Sequence, residues 1–98
     1  MLLAIDVGNT NTVAGLFEGE RLVVSWRFST ERRRMPDEWW ALLAPLLGTA
    51  GVAPAAVDGA IIDASAPVVA VALRDMAQRY LGCTPLIVGV ELDLGIEA

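Results

Sequence analysis

The chain has no lysine, no histidine and one cysteine, Cys83, among its 98 residues. Each absence removes a chemistry. Without histidine there is no Ser-His-Asp or Cys-His nucleophile and no imidazole-bound metal within the chain. A lone cysteine excludes an internal disulfide and a thiolate zinc site. Without lysine there is no Walker-type loop, whose lysine reaches the outer phosphates of a nucleotide. Long apolar runs are also missing. Runs such as Leu2–Ile5 and Ala66–Leu73 fall far short of the about 18 residues that span a bilayer. Asp6 interrupts the first run, so a signal peptide is not expected. Basic charge is scarce: seven arginines against twelve acids leave a net charge of −5. Such a chain is poorly suited to non-specific nucleic-acid binding.

What remains is apolar. Hydrophobic residues make up 55% of the chain and charged residues 19%, a balance that excludes intrinsic disorder. The length suits one small domain, and residues 1–98 are expected to form it.

The order of elements follows from periodicity and punctuation. Residues 2–5 read as a buried strand ending at Asp6. Gly8-Asn9-Thr10-Asn11 is a cluster of turn formers. Residues 12–17 read as a second strand and 21–28 as a third, with Leu22, Val24, Trp26 and Phe28 on one face. Together they suggest an antiparallel meander. Pro36 followed by Asp37 and Glu38 signals a helix start. Trp40, Leu43 and Leu47 are predicted to face the core with Trp39 on the flank, and Pro45 is predicted to kink or stop the helix. Residues 57–63 read as a fourth strand. Ser65 and Pro67 open a second helix whose buried face is Val69, Leu73, Met76, Ala77 and Tyr80, capped by Gly82. Residues 85–88 read as a fifth strand. The order βββαβαβ predicts an α/β fold: a mixed five-stranded sheet with helices flanking its faces.

The segment with chemistry in it is Asp6-Val7-Gly8-Asn9-Thr10-Asn11-Thr12-Val13, where an apolar strand ends and the chain turns back. Gly8 lacks a Cβ and allows close approach to the backbone. Successive amides in such a turn can form an anion nest without lysine. The Asn and Thr side chains add uncharged donors. Asp6 places a carboxylate beside that nest, and a carboxylate next to a phosphate needs a cation such as Mg2+ between them. From the residues alone, a phosphate cradle and an ordinary Asn-rich hairpin turn are equally good readings.

Leu3-Ala4-Ile5-Asp6-Val7-Gly8-Asn9-Thr10-Asn11-Thr12, followed by Gly15-Leu16-Phe17-Glu18-Gly19, strongly resembles the opening of type III pantothenate kinases. These belong to the superfamily of acetate and sugar kinases, Hsp70 and actin. Trp26-Arg27-Phe28-Ser29-Thr30, Arg32–Arg34, Asp37-Glu38, Asp58–Ile62 and Gly82–Val88 carry the resemblance along nearly the whole chain. It implies a ribonuclease-H-like, actin-type domain at the N-terminal end of a two-domain kinase. It implies that Asp6 to Val13 form the first phosphate loop, with Mg2+ held at Asp6. The implied reaction is ATP-dependent phosphorylation of pantothenate, the first step of coenzyme A synthesis. A monovalent cation (K+ or NH4+), a cytoplasmic location and a homodimer are implied too. The family's catalytic aspartate stands in a Gly-Ala-Asp-Arg segment expected beyond Ala98, so no catalytic residue is assigned here and the chain alone is expected to be inactive. A non-catalytic nucleotide-binding or transcription-accessory module of the same family is the alternative, and a sugar or acetate kinase relative ranks last.

Two stretches depart from the family. Asp63 stands in Asp63-Ala64-Ser65-Ala66-Pro67, where relatives are serine-rich. It is expected either to lie beside Asp6 across the sheet or to act as an ordinary helix-start acid. Gly89-Val90-Glu91-Leu92-Asp93-Leu94-Gly95 has acids where a lysine often precedes the substrate site. Arg32-Arg33-Arg34 reads first as a solvated surface and second as a reach toward an anion. Trp39 and Trp40 read as core before pocket. Cys83 reads as a small buried residue with no activating neighbour.

Overall fold

The computed structural model describes residues 1–89. Five strands form one sheet: β1 (Leu2–Val7), β2 (Asn11–Glu18), β3 (Arg21–Ser29), β4 (Gly59–Ala64) and β5 (Leu86–Val88). Helix α1 (Pro36–Thr49) joins β3 to β4, and α2 (Pro67–Met76) joins β4 to β5 through a π-helical turn, Ala77–Leu81. The strand order is β3-β2-β1-β4-β5. β1, β2 and β3 pair antiparallel, and β4 and β5 join parallel. The predicted order and mixed sheet hold.

The most apolar strand is central. β1 is paired on both edges, and its odd residues Leu3 and Ile5 are buried. Ala14 and Leu16 of β2, Ala60 and Ile62 of β4 and Ile87 of β5 share that face. Trp39, Leu43 and Leu47 of α1 and Val69, Leu73 and Met76 of α2 pack against it in one core. Both expected helices therefore flank the sheet, on one face. On the opposite face, the described residues include no helix; a shallow concavity of about 330 Å³ there is lined by Ala4, Val13, Gly15, Phe17, Leu22 and Ile61 among others.

Four expectations are corrected. Leu22 does not share a face with Val24. The register skips Val23 between the pairs Leu16↔Val24 and Phe17↔Leu22, and an extra residue in one strand reverses side-chain alternation beyond it. Leu22 is left 50% exposed. In α1, Trp39 is the core residue and Trp40 the flank. Trp39, Leu43 and Leu47 stand at i, i+4 and i+8, on one face of the helix. The helix runs through Pro45 to Thr49. Pro45 and Ala41, whose carbonyl it deprives of a donor, are both exposed, so the missing bond falls on the solvent side of the helix rather than in the core. Pro67 occupies the first helical position of α2 as expected, but Ala66 rather than Ser65 precedes it as the cap.

The π turn is fastened to α1. Asp37 accepts hydrogen bonds from Arg79 at 2.8 Å and from the Tyr80 hydroxyl at 2.5 Å. The Tyr80 ring stacks on Trp40 with centroids 5.1 Å apart. Beyond it, Gly82 takes the left-handed conformation, φ 66°, that ends the helix. The Tyr80 hydroxyl, then the Arg79 guanidinium, hold the Asp37 carboxyl below its ordinary range. A depressed acid stabilises the fold above its unfolded pKa of about 3.9 and loses that contribution as pH falls through the lower folded value. Asp37→Asn should therefore lower the melting temperature at pH 7, and the gap to wild type should close as pH drops below about 4. Thermal melts of both proteins across pH 3–7 check this; a gap that does not change with pH would refute the role of the ionised carboxylate.

Candidate functional site

Asp6 and Val7 complete β1 instead of ending it, and the turn is confined to Gly8-Asn9-Thr10 before Asn11 opens β2. The central position of β1 thus delivers this turn to the end of the sheet where β1 and β4 both finish. The Gly8 amide donates to the Asn11 carbonyl at 2.9 Å. A Cβ on Gly8 would stand 3.0 Å from that same oxygen, so a larger residue would force the turn open. Among the described residues, no hydrogen bond is donated by the Asn9 or Thr10 amides. Two adjacent amides with no internal partner, in an exposed turn, leave donors for a ligand oxygen.

The turn is held by Thr30, the residue after β3, to which sequence reasoning gave no role at the site. Its amide donates to the Thr10 carbonyl at 2.9 Å, and its hydroxyl donates to the Gly8 carbonyl at 2.8 Å. The same hydroxyl lies 2.9 Å from that of Thr12, which is fully buried. The geometry agrees with the local sequence: Thr12 faces the core at the start of β2, and β3 brings the residue that follows it alongside. A polar residue on an otherwise apolar strand face is the signal that would have flagged this pair.

Arg32, two residues further on, donates from Nη2 to Asn9 Oδ1 at 3.1 Å. Arg34 is instead drawn inward. Its guanidinium lies over Trp39 and Phe28, 5.2 and 5.8 Å from the ring centroids, and donates to the Ser29 carbonyl. The expected solvated run of three thus divides into one loop contact, one exposed arginine and one stacked arginine.

Asp6 is exposed on the face away from the helices. The strand register sets it beside Val13 on one side and Asp63 on the other, so the two acids do lie across the sheet from each other. The Asp63 carboxylate closes against Gly89, whose backbone leaves no space for a Cβ and has φ 84°. Among the described residues no cluster of three or more acidic, cysteine or histidine side chains forms a metal cage. Mg2+ does not require one: it is commonly held by one or two carboxylates, waters and substrate phosphates. Asp6 beside unpartnered amides fits that donor set. Cys83 is half-buried, and burial pushes its thiol above the ordinary range, in agreement with an unreactive role. Glu91 and Asp93 lie outside the described residues.

The sheet order and the turn at the end of its central strand define a class: an actin-like α/β domain of the kind found in sugar kinases. YeaZ from Pseudomonas aeruginosa superposes with a TM-score of 0.62 at 26% identity, over 89% of this chain and 42% of that one. A ROK hexokinase from Thermus thermophilus superposes with a TM-score of 0.64 at 20% identity, over 89% of this chain and 32% of that one, which supports the fold alone. The sequence profile of type III pantothenate kinases matches residues 2–98, and the chain belongs to that family. It is 46% identical over 96 residues to the type III pantothenate kinase of Thermomicrobium roseum and 44% identical over 96 residues to that of Phenylobacterium zucineum. In both cases the match spans 98% of this chain but 37% of the relative.

The Thr30 junction generates a prediction. Thr30→Val removes the partner of a buried hydroxyl and should destabilise the fold by about 1–3 kcal/mol. Thr12→Val should cost less in that background than alone, because the orphaned hydroxyl goes with it. Urea unfolding of the two single variants and the double variant checks this; strictly additive costs would show that the hydroxyls do not act as a pair.

Proposed function

We propose that this chain supplies one wall of the ATP site of a pantothenate kinase, the first step of coenzyme A synthesis. The observation that carries the proposal is the turn Gly8–Thr10, with the Asn9 and Thr10 amides unpartnered beside the exposed Asp6 carboxylate. Family membership adds the substrates, ATP and pantothenate.

In this reading Asp6 to Val13 form the phosphate loop. Val7 and Val13 anchor its two ends in the sheet, and Gly8 lets ligand oxygens approach the backbone. Asn9, Thr10 and Asn11 donate to the phosphates from amide or side chain. Thr12 keeps the loop in shape through Thr30. Asp6 holds Mg2+, which would neutralise charge on the phosphate oxygens. Phosphoryl transfer also needs a group to orient the acceptor hydroxyl; that aspartate is assigned to the part of the kinase beyond these residues. The domain is accordingly the N-terminal one of two. A monovalent cation, a homodimer and a cytoplasmic location belong to the proposal on the family resemblance alone.

The test is calorimetric titration of the full-length protein with ADP, with and without Mg2+. Binding should require Mg2+, and Asp6→Asn should weaken it by at least about tenfold, or about 1.4 kcal/mol. Because Asp6 is exposed, the variant should melt near the wild-type temperature. Equal affinity in the variant would remove Asp6 from the metal role.

A further inference from the structure

We infer that Arg32 is a phosphate-contacting residue of the Asp6–Val13 loop, supplying the positive charge that a lysine supplies in other phosphate loops. The inference rests on the nucleotide reading above and names a residue that reading does not use.

Three observations converge on Arg32. First, the chain has no lysine, so any fixed cation at the loop must be an arginine. Second, among the described residues Arg32 is the arginine that bonds the loop, through Nη2 to Asn9 Oδ1 at 3.1 Å. That oxygen belongs to the residue whose amide is unpartnered, so a phosphate on the amide comes within reach of the same guanidinium. One of its five N–H groups is engaged, and the others remain for oxygens of a ligand. Third, among the described residues no carboxylate pairs with its charge. Arg21, Arg74 and Arg79 are each paired with a carboxylate, those of Glu18, Asp75 and Asp37. Arg32 is held by a neutral amide oxygen instead. A guanidinium aimed by a neutral acceptor keeps its full attraction for an anion.

The attachment of Thr30 explains why this placement persists. Two bonds from Thr30 to the Thr10 and Gly8 carbonyls fix the chain just before Arg32 against the turn. Arg32 therefore has only a short segment to move through, which lowers the ordering cost when a phosphate binds. The neighbouring Arg33 has no such contact among the described residues, and Arg34 is committed to Phe28 and Trp39.

The experiment compares Arg32→Gln with Arg33→Gln in the full-length protein, titrated with Mg-ADP at two ionic strengths. Both variants lose one charge from the same segment, so they differ only in position. Arg32→Gln should weaken ADP binding by about ten- to a hundredfold, the range for a bond to a charged group, and should flatten the salt dependence. Arg33→Gln should stay within about twofold, as expected for a screened surface charge. Arg32→Lys should recover part of the loss, because charge returns without the planar fork. Equal losses in the two glutamine variants would assign the effect to the general field of the arginine run and overturn the inference. Wild-type-like binding by Arg32→Gln would overturn it while leaving the nucleotide site standing. No binding by wild type would overturn both.

Discussion

The Thr30 hydroxyl is the contact on which the site depends. It donates to the Gly8 carbonyl and meets the buried Thr12 hydroxyl. Without it, a polar group at the edge of the core would have no partner, and a buried unpaired hydroxyl costs more than the same bond contributes when made. The junction therefore holds three segments in one arrangement: the end of β1, the start of β2 and the end of β3. The shape of the turn is fixed from behind, on the core side. Its outer side keeps its amides and the Asp6 carboxylate toward solvent.

Much of the fold was legible because the punctuation is strong. Pro36 and Pro67 begin the helices where the sequence placed them, Gly82 ends the second, and the five strands lie within two residues of their expected bounds. The misreadings share a cause: each depends on a three-dimensional neighbour. A one-residue insertion at Val23 turns Leu22 to the other face, and nothing in an alternating run marks where a partner strand skips. Trp39 and Trp40 are equivalent by periodicity. Phe28 and Arg34 against Trp39, and Tyr80 against Trp40, decide which is core. Pro45 is tolerated because Ala41 faces water, an orientation that follows only once Leu43 and Leu47 point inward.

The site was half legible. Gly8 and the Asn-Thr-Asn run mark a tight turn, but an ordinary hairpin has the same letters. What separates the two is whether the amides are spent internally, and among the described residues only the Gly8 amide of the turn is paired across it. Thr30 and Arg32 were harder to find, since they stand about twenty residues away and reach the loop only because β3 pairs beside β2.

The arrangement of charge gives the site its sign. Asp6 and Asp63 occupy neighbouring positions on adjacent parallel strands, both exposed. A bare phosphate approaching the turn would gain the amides but meet two carboxylates, and like charges at close range repel even through water. A divalent cation reverses this balance: it is attracted by both acids, and the phosphate is attracted by the cation. Under the proposed function, free amides beside a pair of acids would favour a nucleotide's metal complex over the bare nucleotide. On the proposed reading, the same electrostatics would reconcile a net charge of −5 with an anion site. In the proposed site, neutral donors would fix where the oxygens sit, and Arg32 together with a metal ion brought by the nucleotide would supply the positive charge.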